Sequence, residues 1–165
     1  MKTFYYLIVL HALYLSACNK IYIEPNLPAE TQTGANTFGC KVNGKKWIPK
    51  AWFVFNMGAS WYNGSFRIWE VRYTNTPKVD QQISIRVESV NGTGSYVLNK
   101  IHHVQFRNQL NSCDYNTDSL NTGHLIITKL DTINKIISGR FDFKVKQAGC
   151  PDIEVSEGRF DYNYH

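Results

Sequence analysis

The sequence predicts an all-β protein, an antiparallel β-sandwich or flattened barrel of about nine short strands behind a signal peptide and a tether. Three observations carry this. Apolar and polar residues alternate with period two in several runs: Ile83, Ile85 and Val87 face one way and Ser84, Arg86 and Glu88 the other, while Ile137, Phe141, Phe143 and Val145 oppose Arg140, Asp142 and Lys144. Asn43-Gly44 sits between two β-prone runs, and this dipeptide favours the positive φ angles of a tight hairpin turn. Charged residues make up only 19% of the chain and aromatics 14%, with no long stretch rich in Ala, Glu, Leu and Lys to argue for a helix.

The first element reads as a targeting segment. Lys2 supplies a positive charge, residues 4–15 form an apolar run, and Leu15-Ser16-Ala17-Cys18 follows. The run is too short to span a bilayer as a helix, which takes ~20 residues, but it suits the apolar core of a secretory signal. The ending resembles the bacterial lipobox, in which the cysteine is acylated and the peptide is cut just before it. That reading makes residues 1–17 a signal peptide and Cys18 the lipidation site, giving a membrane anchor. The alternative is an ordinary secretory signal that happens to end in cysteine. Residues 18–35 carry Pro25, Pro28 and Gly34 without periodicity and read as the lipidated cysteine and a flexible tether, leaving 36–165 as the β domain.

Within the domain, 38–42 and 45–48 form the hairpin around Asn43-Gly44, and Pro49 ends its second strand. Residues 51–57 suit a strand buried on both sides, 58–64 a turn region, 65–73 a strand and 74–80 a loop. Strands follow at 82–88, 95–98 and 104–110, then a polar loop over 111–123, and strands at 124–130, 137–145 and 153–164. Gly139-Arg140-Phe141-Asp142 recurs as Gly158-Arg159-Phe160-Asp161. Ile153 and Val155 lie out of phase with Phe160 and Tyr162, so a β-bulge is expected at Glu157-Gly158, with the last two strands as antiparallel neighbours.

Export would place the cysteines in an oxidising compartment. With Cys18 acylated, three remain, so at most one intramolecular disulfide forms. Cys40 falls in a strand and reads as a buried thiol. Cys113 and Cys150 both sit in polar, turn-like contexts and are the favoured pair. Zinc would need paired ligand spacing, which these cysteines lack.

The net charge of +5 is modest and dispersed. Lys45, Lys46 and Lys50 around Trp47 make the densest basic patch. It reads as a solvated hairpin, since no nucleic-acid-binding motif accompanies it. His102 and His103 would point to opposite faces of a strand and read as solvated loop histidines rather than metal ligands. Asp114-x-Asn116-x-Asp118 mimics the start of a calcium loop, but Ser119 and Leu125 stand where glycine and an acid are needed. No cofactor or metal site is expected. Glu70, Asp80, Glu88, Asp142, Glu154 and Glu157 could supply paired carboxylates, and spacing selects no pair. Trp47, Trp52, Trp61 and Trp69 crowd into 47–69. Such aromatics either fill a core or stack on a ligand, and Trp61-Tyr62, placed in the expected turn, is the pair expected to be exposed.

The segment Thr33-Gly34-Ala35-Asn36-Thr37-Phe38-Gly39-Cys40-Lys41-Val42-Asn43-Gly44-Lys45 resembles the opening of a group of small, uncharacterised lipoproteins of Bacteroidota. Leu125-Ile126-Ile127-Thr128-Lys129-Leu130-Asp131, Ile137-Ser138-Gly139-Arg140-Phe141 and Glu157-Gly158-Arg159-Phe160-Asp161 fit as well, whereas residues 50–110 match loosely. The resemblance implies a lipid-anchored all-β envelope protein and brings no catalytic or ligand residues with it. Exported proteins of this phylum can be O-glycosylated at Asp followed by Ser or Thr and an apolar residue, which implies Ser119 and Thr132 as acceptors. Its surface-exposed lipoproteins carry acidic residues after the lipid cysteine. Asn19-Lys20-Ile21 departs from that, so an outer-membrane lipoprotein facing the periplasm is expected.

The expected function is a non-enzymatic accessory or binding module of the cell envelope. Its partners would be the membrane, through Cys18, and a glycan or envelope protein, with no nucleic acid. A glycan- or peptide-binding lipoprotein using Trp61 and Tyr62 is the first alternative. A hydrolase whose carboxylates converge only in the fold is the second.

Overall fold

The computed structural model describes residues 26–51 and 57–165. Eleven strands lie among them: β1 (Thr37–Val42), β2 (Lys45–Trp47), β3 (Gly58–Tyr62), β4 (Ser65–Asn75), β5 (Lys78–Val87), β6 (Gly94–Leu98), β7 (His103–Asn108), β8 (Cys113–Asn116), β9 (Gly123–Asp131), β10 (Ile136–Val145) and β11 (Ile153–Asn163). A six-stranded sheet runs β2-β1-β11-β10-β9-β6 and a five-stranded sheet runs β3-β4-β5-β7-β8. The neighbouring strands all pair antiparallel. Two separate sheets with free edges decide for the sandwich over the barrel. Between them Phe38, Trp47, Phe66, Phe106, Phe141, Phe143 and Phe160 are buried with the inward aliphatics, each sheet supplying alternate side chains to the shared core.

The turns follow the chemistry of their residues. Asn43 and Gly44 have φ of 48° and 76°, as the hairpin expectation required. Asn63 and Gly64 repeat these angles, closing β3 onto β4. The region 58–64 therefore holds a strand, with a turn of only two residues. Strand 51–57 falls largely outside the described residues. The loop expected at 74–80 shrinks to Thr76–Pro77, because β4 and β5 stay paired out to Asn75 and Lys78. The polar loop expected over 111–123 contains β8, whose alternation of buried Cys113 and Tyr115 with Asp114 and Asn116 is too short to stand out among polar neighbours. The strand expected at 104–110 stops at Asn108. There the Asn108 side chain accepts from the Leu110 amide and starts a 3-10 turn over Gln109–Asn111, leaving Leu110 exposed.

The expected bulge is present. Phe141 pairs with Gly158 but Phe143 with Val155, and Gly39 pairs with Arg159 but Lys41 with Ser156. The extra residue therefore lies on β11 against both neighbours, with Glu157 at φ 52°. The repeated tetrapeptide also finds its reason. β10 and β11 run antiparallel in the register Gly139↔Phe160 and Phe141↔Gly158, so each glycine faces the other copy's phenylalanine. A Cβ on Gly139 would come 2.7 Å from the Phe160 ring, and one on Gly158 would come 2.6 Å from the Phe141 ring. The missing side chains are the space the rings occupy.

Residues 26–35, read from composition as the end of a tether, strap the outer face of the six-stranded sheet. Asn26 accepts from Lys46 of β2, Leu27 and Pro28 cross over Gly39 of β1, Glu30 ion-pairs with Arg140 of β10, and Gln32 bonds Thr128 and Lys129 of β9. Asp161 of β11 fastens the strap: it accepts from the Thr31 hydroxyl (2.6 Å) and from the amides of Thr33 (3.0 Å), Gly34 (2.8 Å) and Ala35 (3.1 Å). Composition showed only that these residues lack periodicity. It could not show a carboxylate on the last strand waiting for their amides. Residues 26–35 thus pack on the β domain that the sequence reading begins at residue 36.

Cys113 and Cys150 form a disulfide with Cα atoms 6.1 Å apart. It ties β8 of one sheet to the connection that leads into β11 of the other. Cys40 is a free, fully buried thiol, and burial pushes it far above the usual thiol range.

Candidate functional site

On β4, Phe66, Ile68 and Glu70 are buried in phase, so the alternation that fills the core also sends one carboxyl inward. Glu70 is 3% exposed. Two groups meet it. Tyr162, inward-facing on β11 of the opposite sheet, donates its phenol hydrogen to Glu70. The backbone N–H of Gly58 on β3 donates as well. Burial is the strongest influence on this carboxyl and, against both hydrogen bonds, pushes it up to about 7. Tyr162 is pushed far above the usual phenol range, first by burial and then by the negative charge on Glu70.

Glu70 and Tyr162 form part of the wall of a cavity of about 600 Å³ at one end of the sandwich. Apolar surface comes from Pro28 of the strap, Phe38 of β1, Ile48, Pro49, Met57 and Ala59. Polar side chains besides the Glu70–Tyr162 pair come from Asn26, Asn36, Thr37, Asn163 and His165. Among the described residues that line it, Glu70 is the only acid, and there is no lysine or arginine. The size suits a small organic molecule, and a mostly apolar wall with a few convergent polar groups is the usual construction of a ligand site.

The other site residues singled out from the sequence that are described do not line this cavity. Cys18 and Trp52 lie outside the described residues. Trp47 is buried, its indole N–H donating to Gln81 at 2.9 Å. Trp61 and Tyr62 lie on β3, not in a turn, so they cannot form the shared exposed surface expected of them. Trp61 packs on the core and stacks on Tyr164 with ring centroids 5.5 Å apart, while Tyr62 is 77% exposed. Ser119 and Thr132 occupy matching loops. Asp118 accepts from the amides of Leu120 and Asn121 and the Asn121 side chain, and Asp131 does the same for Ile133 and Asn134. In both loops the hydroxyl residue and the aliphatic after it are exposed.

In the calcium-loop mimic Asp118 accepts from its own turn, and one oxygen of Asp114 is held by Arg107 at 2.9 Å. His102 and His103 are half-buried rather than solvated. The ring of His102 meets Tyr96 edge-on, and His103 lies within β7 opposite Arg86. Of the other acids considered as pairs, Glu88 is held by Ser65 and Arg86, Asp142 faces His124, Glu154 pairs with Lys144 and Glu157 with Lys41. Asp80 lies on β5 opposite Tyr73. Sequence reasoning named Glu70 without reason to prefer it and missed Tyr162. The available signal was phase: an acid stands where the Phe66, Ile68 pattern calls for a hydrophobe.

No protein-family model matches the chain, and no curated protein or solved structure shows significant similarity to it.

Proposed function

We propose that the protein is a non-enzymatic binding module of the cell envelope, anchored by lipid on Cys18, and that the cavity at Glu70 and Tyr162 receives its ligand. The observation that carries this reading is a buried carboxyl placed on the wall of a mostly apolar cavity of ligand size. Hydrolysis by paired carboxylates needs a second acid within about 10 Å of the first, and Glu70 is the only acid among the described lining residues. The lipobox-like ending at Cys18 and the disulfide both fit an exported, periplasm-facing outer-membrane lipoprotein. Ser119 and Thr132 are its proposed O-glycosylation sites, each exposed on a turn ordered by the preceding aspartate.

The intact mass of protein taken from native membranes tests the anchor. A chain starting at Cys18 and carrying acyl mass supports it, and sugar mass mapping to Ser119 and Thr132 supports the glycosylation. A chain retaining residues 1–17, or lacking acyl mass, rejects the anchor. Exposed Tyr62 favours a second reading, a glycan- or peptide-binding surface on β3. That reading requires Tyr62→Ala to abolish glycan-array or peptide-array binding.

A further inference from the structure

Glu70 is an unusual choice at its position. A leucine there would fill the interior without the cost of burying a carboxylate. The two donors that meet it, Tyr162 and the Gly58 amide, are neutral, so they stabilise its charge without cancelling it. Phe38, Ile48, Met57 and Ala59 give the wall its hydrocarbon, beside the uncharged side chains of Asn26, Asn36, Thr37 and Asn163. Among the described residues lining the cavity, His165 is the only basic side chain. When Glu70 is ionised, the described lining therefore carries one acidic side chain, much apolar surface and no lysine or arginine to balance it. Its complement is a molecule that brings one positive charge on an apolar body. A bare metal ion fits poorly, because hard cations need several oxygen ligands and these walls are mainly carbon. A phosphate or carboxylate ligand would meet repulsion from Glu70.

We propose that the cavity between the sheets binds a small organic cation, a primary ammonium carried on an apolar or aromatic body, with Glu70 as its counter-ion and Tyr162 holding that carboxylate in place. This rests on the cavity being the ligand site and adds the chemical class of the ligand. The aromatic rings of Tyr162 and Phe38 on the same wall suit the face of such a cation and its body. Because ammonium pairs with the ionised form of Glu70, binding strengthens as pH rises through the range in which that carboxyl ionises.

The test uses the full-length protein in detergent, with phenethylamine as the probe and phenethyl alcohol as its neutral match. NMR follows the cavity resonances and the side-chain carboxyl carbon of Glu70. The expected result is that phenethylamine binds at least tenfold more tightly than the alcohol at pH 8, that this advantage shrinks towards pH 5, and that the amine lowers the Glu70 titration midpoint. Glu70→Gln should remove the advantage while leaving alcohol binding unchanged. Asp142→Asn, which removes an exposed acid that does not line the cavity, should leave it intact, which separates Glu70 from a general loss of negative charge. The Glu70 midpoint is read on the unaltered protein, so the test stands even where a variant does not fold. Equal binding of amine and alcohol overturns the ligand class and leaves the binding module standing. Absence of any cavity perturbation by either probe overturns both.

Discussion

Tyr162 on β11 donates its phenol hydrogen to Glu70 on β4, so the carboxyl between the sheets is held from both of them at once. The pair is a polar tie through an otherwise apolar interior, and it makes stability depend on pH in a definite direction. Burial raises Glu70 from its ordinary 4.5 to about 7. The fold therefore favours the protonated form. The resulting stability is fully present below pH 4.5 and is lost as pH rises through about 7. Chemical denaturation should show it as a loss on the order of 3 kcal/mol between pH 4 and 8. Glu70→Gln keeps the acceptor for Tyr162 and should flatten this dependence, becoming the more stable form at pH 8. A parallel decline in both proteins would assign the slope to other groups. Tyr162→Phe removes a hydrogen bond that favours the ionised form and should move the Glu70 midpoint higher still.

Asp161 acts in the opposite sense. Burial alone would raise this carboxyl, but the hydrogen bonds it accepts from Thr31, Ser138 and the strap amides outweigh that and hold it well below the usual range. A depressed value contributes stability above about pH 4, lost only as pH falls through the folded-state value. Asp161→Ala leaves the strap amides without their acceptor. It should cost about 3 kcal/mol, since bonds to a charged group are worth about 1.5–3 kcal/mol each before relaxation. Hydrogen exchange should speed up first at Thr33, Gly34 and Ala35. Unchanged protection there would mean that the strap is held by its other contacts.

The disulfide closes a loop with a sequence separation of 37 between Cys113 and Cys150. Constraining an unfolded loop of that length is worth about 4 kcal/mol in the chain-entropy view. The double variant Cys113→Ala, Cys150→Ala should lower Tm by on the order of 10 °C. A shift of a degree or two would show that the sheets are joined well enough without it.

The reciprocal glycines give a fourth test. A Cβ on Gly158 would meet the Phe141 carbonyl at 2.5 Å as well as its ring, and one on Gly139 would meet the Ile126 carbonyl at 2.3 Å. Backbone cannot give way cheaply, so Gly158→Ala and Gly139→Ala should each cost about 2–3 kcal/mol in denaturant unfolding. Shaving Phe141 to Leu should not rescue Gly158→Ala, because the carbonyl clash remains. Full rescue would place the strain in the ring alone.

Much of the fold was legible because period-two alternation is a strong signal where a strand is long and half-buried. β5, β10 and β11, the Glu157 bulge and the Asn43-Gly44 hairpin all follow from phase and turn chemistry. The strands that escaped, β3 and β8, are short edge strands of the same sheet, where few side chains face the core and no long alternation can build up. Asn63-Gly64 carried the missed signal for β3, being the same dipeptide trusted at Asn43-Gly44. The Cys113–Cys150 pairing was legible from the polar sequence around both cysteines, although Cys113 opens β8 and only Cys150 lies in a connection. The Glu70–Tyr162 pair was not, because its partners lie 92 residues apart on different sheets and only the fold brings them together.

The strap bears on how freely the domain can move if Cys18 carries lipid. Were residues 18–35 all slack, the domain could wander widely over the bilayer. Fixing the chain from Asn26 onward shortens the leash to the eight steps from Cys18. At no more than about 3.5 Å per residue it reaches roughly 28 Å. A domain so anchored would be a fixture of the membrane surface, and Asn26, the first described residue of the strap, stands on the wall of the cavity itself.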